Sequence, residues 1–202
     1  MSSHPVRCRC GKLQGEISHA ELGIRAVCYC HDCQAFAHFL GTAEEILDPL
    51  GGTEIVAIAP RCVSFTAGTE HLACMSLTEQ GIFRWYANCC RTPIGNTPRD
   101  RKLSHVGLIH VCLRAAGSSL ADSFGAVQMR VHRQGAKASA PAAPVTAFML
   151  AGLRFVGSLA WSRFSGKYRQ NPFFDAATGR PRVAPRVLSK AEHERLKTTV
   201  AG

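Results

Sequence analysis

The chain has 202 residues, 46% of them hydrophobic and 19% charged, with a formal net charge of +10. That is enough for one sizeable domain plus a small second one or a tail. It excludes collagen-like, low-complexity and wholly disordered chains.

The charge is unevenly placed: residues 1–100 hold eight basic and ten acidic side chains, residues 101–202 sixteen and four. Such an imbalance fits either an anionic partner such as nucleic acid or a solvated basic tail. The basic residues stand singly (Arg154, Arg163, Lys167, Arg169, Arg180, Arg182, Arg186). They lack the interleaved aromatics of a base-stacking platform, so a solvated tail is expected and nucleic acid is not. The opening MSSHPVRCRCGK lacks the apolar stretch of a secretory signal. A cytoplasmic, reducing location is therefore expected, where clustered cysteines hold metal more often than disulfides.

In chain order, PVRCRCGKLQGEIS (residues 5–18) predicts two short strands around Gly11, with Gly15 at a bulge or close approach. Four more short strands follow: EIVAIA (54–59), CVSFTA (62–67), HLACMSL (71–77) and IFRWYA (82–87), separated by turn residues. Frequent strands without long helices between them predict antiparallel sheets and a mainly β fold. HVGLIHVCL (105–113) reads as a strand or the start of a helix, and SSLADSFG (118–125) as a short helix opened by serine. Residues 133–145, RQGAKASAPAAPV, read as a linker or exposed loop. These breaks divide the chain into a β domain, residues 1–115, and a basic, partly helical extension, residues 116–202.

AFMLAGLRFVGSLAWSRFSG (147–166) is the most apolar stretch. Arg154 near its middle argues against a membrane span. Arg163 falls on the opposite side at about 100° per residue, which spoils an amphipathic anchor. A helix packed on the domain or on a second subunit, and no transmembrane span, is the expectation. Ser189 three residues before Glu192 marks a capping box for a last helix.

Seven of the ten cysteines fall in three knots. In an extended strand, side chains two apart share a face, so Cys8 and Cys10 can aim at one point, as can Cys28 and Cys30. Cys30 and Cys33 make a C-x-x-C turn, and with zinc–sulfur bonds of about 2.3 Å the trio Cys28, Cys30 and Cys33 can reach one metal. No fourth ligand stands nearby, because His31 is expected to point outward. Cys90 can join Cys8 and Cys10, with adjacent Cys89 an awkward fourth unless the chain turns at Arg91, Thr92 and Pro93. Cys62, Cys74 and Cys112 sit singly among apolar neighbours and read as core thiols. A thioredoxin-like role for Cys30 and Cys33 would need a strand–helix junction in a βαβ unit, which the all-β surroundings do not suggest.

CRCGKLQGEI, CYCHDCQAF and CRTPIGN, in that order over residues 7–96, resemble the glutathione-dependent formaldehyde-activating enzymes and their centromere protein V-type relatives. The resemblance implies a β-tent of small antiparallel sheets. It implies a structural zinc held by the first C-x-C and a last C-x-x-C, and a second zinc on the middle C-x-C-x-x-C. It further implies carbon–sulfur lyase activity on a glutathione–formaldehyde adduct. This chain departs from the pattern at Ala87, where the last motif has its first cysteine, at Arg91, where it has glycine, and at Tyr29, where histidine is usual.

Two functions follow. One is a zinc enzyme with glutathione or another small thiol as partner, one or two zinc ions per chain, and Arg25 or Arg91 offsetting the thiolate charge; no His–carboxylate pair stands out for proton transfer. The other is a non-catalytic zinc module whose basic half contacts an acidic partner or, less expected, nucleic acid, as a homo-oligomer or alone.

Overall fold

The computed structural model describes residues 2–114 and 119–201. The expected domain boundary at 115/116 lies outside the described residues.

The chain is mainly β. A three-stranded antiparallel sheet has the order β1 (Ser3–Arg7), β2 (Gln14–Ser18), β5 (Val63–Ala67). An eight-stranded sheet also contains β3 (Ile24–Cys28), β4 (Thr53–Ile58), β6 (Leu72–Ser76), β7 (Phe83–Ala87), β8 (Thr92–Thr97), β9 (Val106–Ile109), β10 (Met129–Val131) and β11 (Arg186–Val187). Its order is β10-β3-β4-β9-β8-β7-β6-β11. The interior of this sheet is antiparallel, as expected. Both edges are not: β10 pairs parallel to β3, and β11 parallel to β6. These two short strands return from the C-terminal half, so the large sheet is mixed and its edges are covered by distant chain.

Period-2 alternation sends the side chains of β4, β6, β7 and β9 to two different cores. On β7, Phe83, Trp85 and Ala87 face a core shared with the small sheet, while Tyr86 packs with a second core on the opposite face. The first core joins Val6, Leu13 and Ile17 to Val56, Ile94 and Leu108, and holds Cys62, Cys74 and Cys112, as expected of lone thiols. Phe173 and Phe174, from the C-terminal half, complete it, with Phe173 5.1 Å from Trp85 between ring centroids. The extension therefore contributes to the same core as the β strands.

Gly15 sits at the expected bulge: the β2–β5 register shifts between Gln14 and Gly15, and a Cβ there would lie 2.4 Å from the Ser64 carbonyl oxygen. HVGLIHVCL is both things at once, β9 running directly into the one-turn helix α3 (His110–Leu113). Four strands escaped the sequence reading: β3, β8 and the short edge strands β10 and β11; β8 begins Thr-Pro and contains Gly-Asn, which reads as turn. Pro93 is accommodated beside a register shift between Trp85 and Tyr86.

The main correction is α1 (His31–Leu40), a ten-residue helix where none was expected, followed by the single turn α2 (Ala43–Ile46). Cys33, Phe36, Ala37 and Leu40 are its buried face, at helical spacing. Gly41 ends it in the left-handed conformation, at φ 72°. This helix covers the second face of the large sheet, where Phe36 and Leu40 meet Met75, Ile109 and Leu188.

In the C-terminal half, α4 (Leu120–Phe124) starts as expected, with Ser119 Oγ accepting from the Ala121 N–H. Residues 133–145 are a mostly exposed loop, as expected, but one pinned to the domain and not a free linker. Arg133 donates to the Ala140 carbonyl, and Ala140 is buried against Val27 and Tyr29. The long helix α5 (Val145–Phe164) rests on the domain along one side and leaves Val145, Leu153 and Phe164 exposed on the others. By length and composition alone it is the one helix among the described residues able to cross a membrane. The capping box of α6 (Lys190–Ala201) forms in full: Ser189 Oγ accepts from the Glu192 N–H, and Glu192 Oε2 accepts from the Ser189 N–H. α6 packs on α1.

Candidate metal centres

The seven clustered cysteines gather into two groups, each with its sulfurs within 4.8 Å of one another. Cys8, Cys10, Cys89 and Cys90 form the first; Cys28, Cys30 and Cys33 form the second.

In the four-cysteine group, the first pair converges by a route other than the extended strand expected. β1 ends at Arg7, and the chain turns, the Gly11 N–H donating to the Cys8 carbonyl at 2.9 Å. The Leu13 N–H points at Cys8 Sγ, 3.3 Å away. The second pair lies in the turn at residues 88–91 between β7 and β8. Arg91 adopts the left-handed conformation, φ 55°, which normally favours glycine. Its guanidinium donates to the Leu40 carbonyl at 2.9 Å and to the Phe39 carbonyl, tying the turn to the C-terminus of α1.

That turn carries Cys89 inward, to 3.3 Å from Cys10 and 3.9 Å from Cys8, while Cys8 and Cys10 are 3.5 Å apart and Cys89 and Cys90 3.8 Å. A tetrahedral zinc with about 2.3 Å bonds has sulfur–sulfur edges of about 3.8 Å. The spacing therefore fits one tetrahedral ion. Ala87, buried in the core, takes no part, and Cys89 fills the place it leaves.

The thiols differ in acidity. Burial pushes Cys8 and Cys89 up. Burial acts the same way on Cys90, but hydrogen bonds from Thr92 and from Cys10 outweigh it and lower Cys90 to about 6.

The three-cysteine group sits where β3 passes into α1. Cys28 ends the strand, Cys30 is the N-cap, and Cys33 lies in the first turn with its N–H on the Cys30 carbonyl at 3.0 Å. The positive end of the helix dipole points into the site. Cys30 and Cys33 thus do occupy a strand–helix junction, but β4 returns antiparallel to β3, so this is no βαβ unit, and a third thiol shares the site. His31 is exposed and outside the group, as expected. Tyr29 is fully buried; its hydroxyl accepts from Arg130 at 3.1 Å and its carbonyl from Gln34 at 3.0 Å.

The cation at this site is neither Arg25 nor Arg91. Arg25 pairs with Glu54, its Nε 2.9 Å from the carboxylate, and Arg91 serves the other turn. Arg84, on the α1 face of β7 and 1% exposed, takes the role. Its Nη1 lies 4.0 Å from Cys33 Sγ and 3.4 Å from Asn96 Oδ1, its Nη2 is 3.6 Å from Asp32, and its guanidinium stands 5.5 Å from the Phe36 ring centre. Hydrogen bonds from Cys28 and Cys30, and then the Arg84 charge, hold Cys33 well below the usual thiol range. Sharing those bonds raises Cys28, while Cys30 moves up to about 11. The site favours one thiolate at Cys33 before any metal binds.

A cavity of about 360 Å³ is lined by His31, Asp32, Ala35, His193, Lys197 and Val200; His31 and Asp32 are chain neighbours of Cys30 and Cys33, but none of the three cysteines lines it. It lies between the start of α1 and the face of α6.

Both donor sets are all-sulfur, which suits a soft or borderline cation, and each can hold a metal ion.

No curated protein matches the chain. A crystal structure of a Rhodobacter sphaeroides protein, solved as a structural genomics target, is similar at 16% identity and a TM-score of 0.38, covering 58% of this chain and 93% of that one. At that similarity it establishes neither fold nor function. A family profile matches residues 1–184, running through β1 to β10, both cysteine groups and Phe173–Phe174. On that match the chain belongs to a family of unknown function, DUF6151.

Proposed function

We propose that the protein binds two zinc ions, one structural on Cys8, Cys10, Cys89 and Cys90, and one reactive on Cys28, Cys30 and Cys33. The observation that carries this reading is the unequal ligand count. Among the described residues the second group contains no fourth cysteine, histidine or carboxylate, and three protein ligands with an open position is the pattern of catalytic zinc. Bound there, zinc would take the sulfur of a substrate thiol as its fourth ligand and lower that thiol's pKa.

The substrate proposed is glutathione or another small thiol, and the reaction a carbon–sulfur lyase or its reverse. In the bond-forming direction the thiol sulfur adds to an aldehyde carbon, and the carbonyl oxygen takes up the proton the thiol has lost. Three thiolates around a dication leave one net negative charge, which weakens Lewis acidity. Arg84 beneath Cys33 and the α1 N-terminus offset it. The cavity lined by His31, His193 and Lys197 offers polar groups for the rest of the thiol substrate.

The test is metal content followed by thiol titration. Protein purified without added metal should carry two zinc ions, and the cobalt-substituted protein should change its visible spectrum when glutathione is added. Cys33→Ala should keep one ion and cooperative unfolding while losing that spectral change. A single zinc indifferent to glutathione would overturn the enzyme reading and leave a zinc-stabilised module whose basic C-terminal residues seek an acidic partner.

A further inference from the structure

The cavity beneath α5 contains none of the seven clustered cysteines and lies at the other end of β3 from Cys28. Ile24 lines it, and it stands four residue steps along the strand from Cys28, about 13 Å at the usual rise. It measures about 270 Å³ and is walled by the β3–β4 end of the large sheet, the turn at Arg61, residues Ser104 and His105, and the underside of α5. That is near the lower end of small-molecule sites.

Its lining is divided by chemistry. Phe155, Leu159 and Trp161 from α5, with Leu22, Ile24 and Ile58 opposite, are apolar. The polar part consists of Arg61, Ser104, His105, Arg154 and Ser158, with no aspartate or glutamate in the lining. Three of these groups carry buried polar atoms without a hydrogen-bond partner: Arg61 Nε, Ser104 Oγ and His105 Nδ1. Ser104 is 1% exposed, so water outside cannot serve it. Unpartnered buried polar atoms cost about 1–3 kcal/mol each, and three on residues that line one cavity point to something that completes them. Among the described residues neither Arg61 nor Arg154 has a carboxylate within 4 Å. Arg154 reaches only the Glu21 carbonyl, at 3.2 Å. His105 presents its ring edge-on to Phe155, 5.0 Å between centroids, so the polar and apolar parts of the lining meet there.

We propose that this cavity is a binding site for a single-chain organic anion, its acidic head between Arg61, Ser104, His105 and Arg154 and its apolar chain along Phe155, Leu159 and Trp161. The site explains why α5 keeps an arginine near the middle of an otherwise apolar face. It also explains why the helix touches the domain through scattered small and aromatic residues instead of a closed seam. It is independent of both cysteine groups.

The probe is decanoate below its micelle concentration, titrated calorimetrically into the zinc-loaded full chain. Acetate, which has the same head, and 1-decanol, which has the same chain length, are the controls. One equivalent of decanoate should bind, at least tenfold more tightly than either control. Arg61→Gln and Arg154→Gln should each weaken it severalfold. Ser158→Trp, which fills the cavity from a half-buried position on α5, should abolish binding with zinc content and unfolding midpoint retained. Decanoate affinity undiminished in Ser158→Trp or in the double arginine variant would overturn the assignment, as would failure of decanoate to bind. Sedimentation with phosphatidylglycerol vesicles in the absence of decanoate binding would move the anion from a free ligand to a lipid surface, and would equally sink the proposal.

Discussion

The two cysteine groups present the same side chain in opposite settings. The four-cysteine group joins two turns, residues 8–10 and 88–91, that belong to different sheets, and its donors can saturate a metal. It is close to the surface, with Cys10 exposed, and its neighbouring Arg9 donates to the Cys90 carbonyl, at 2.7 Å, and not to a sulfur. The three-cysteine group lies on a single strand–helix junction, with Cys33 buried above Arg84 and a cavity lined by its chain neighbours His31 and Asp32. A metal in the first ties distant chain together. A metal in the second ties chain that β3 and α1 already hold. The comparison teaches that stability should depend on the first group and reactivity on the second.

The largest expected effect tests the stabilising half of that statement. Binding free energy at a structural zinc is folding free energy. Cys10→Ala, at the exposed ligand, should therefore lose one zinc and more than about 4 kcal/mol of stability, read as the unfolding midpoint in urea. Cys28→Ala should lose one zinc with less than half that cost. Equal destabilisation by the two changes would break the comparison.

The second effect concerns the reactive half. Arg84→Met keeps the length and apolar stem and removes the charge beneath Cys33. Outer partners of metal ligands are worth about 10–100-fold in affinity. Competition with a chelator should show a loss of that size at the three-cysteine group and none at the other. The methionine should pack against Phe36, so folding should survive. An unchanged affinity would reduce Arg84 to a structural residue.

The lone thiols sharpen the contrast by being the third state of the same side chain. Burial pushes Cys74 up to about 12, against about 9 in the unfolded chain, so the native state holds a proton that the unfolded state releases. Stability from this group is complete below pH 9 and falls as pH rises toward 12, by about 1.4 kcal/mol per unit. Urea midpoints of the zinc-loaded protein at pH 8, 9 and 10 should show the fall, and Cys74→Val should make it shallower. A slope the same with and without Cys74 would mean that the loss arises at the metal ligands.

Much of the β framework and all seven clustered thiols were legible, because strand alternation and cysteine spacing are local signals. What was missed follows from one omission. Reading Cys30–Cys33 as a zinc turn hid the helical spacing of Cys33, Phe36, Ala37 and Leu40. Without α1, nothing in the sequence marked the second face of β7 as covered, and Arg84 in IFRWYA was not singled out. The expected cations were then sought at Arg25 and Arg91, near the cysteines in sequence but engaged elsewhere. The parallel edge pairings had no local signal at all: β10 lies about a hundred residues from β3, its partner. Cys89 was undecidable for a different reason. Whether two adjacent thiols converge depends on the backbone of the turn, and here an arginine at positive φ sets it.

The smallest expected effect asks how far the reactive group depends on the chain beyond the family match. α6 falls outside residues 1–184, yet it packs on α1 and its His193 and Lys197 form one wall of the cavity lined by His31 and Asp32. Its start is secured by the reciprocal Ser189–Glu192 bonds. Ser189→Ala removes the hydroxyl that accepts from the Glu192 N–H and should cost about 1 kcal/mol. It should leave zinc at both groups, and it should raise hydrogen exchange in the first turn of α6. If α6 only shelters the sheet, glutathione should perturb the cobalt spectrum of this variant at the wild-type concentration. If α6 supplies the substrate wall, half-saturation should move to higher glutathione with the final spectrum unchanged, because the metal ligands are untouched and only the ordering of His193 and Lys197 has been weakened.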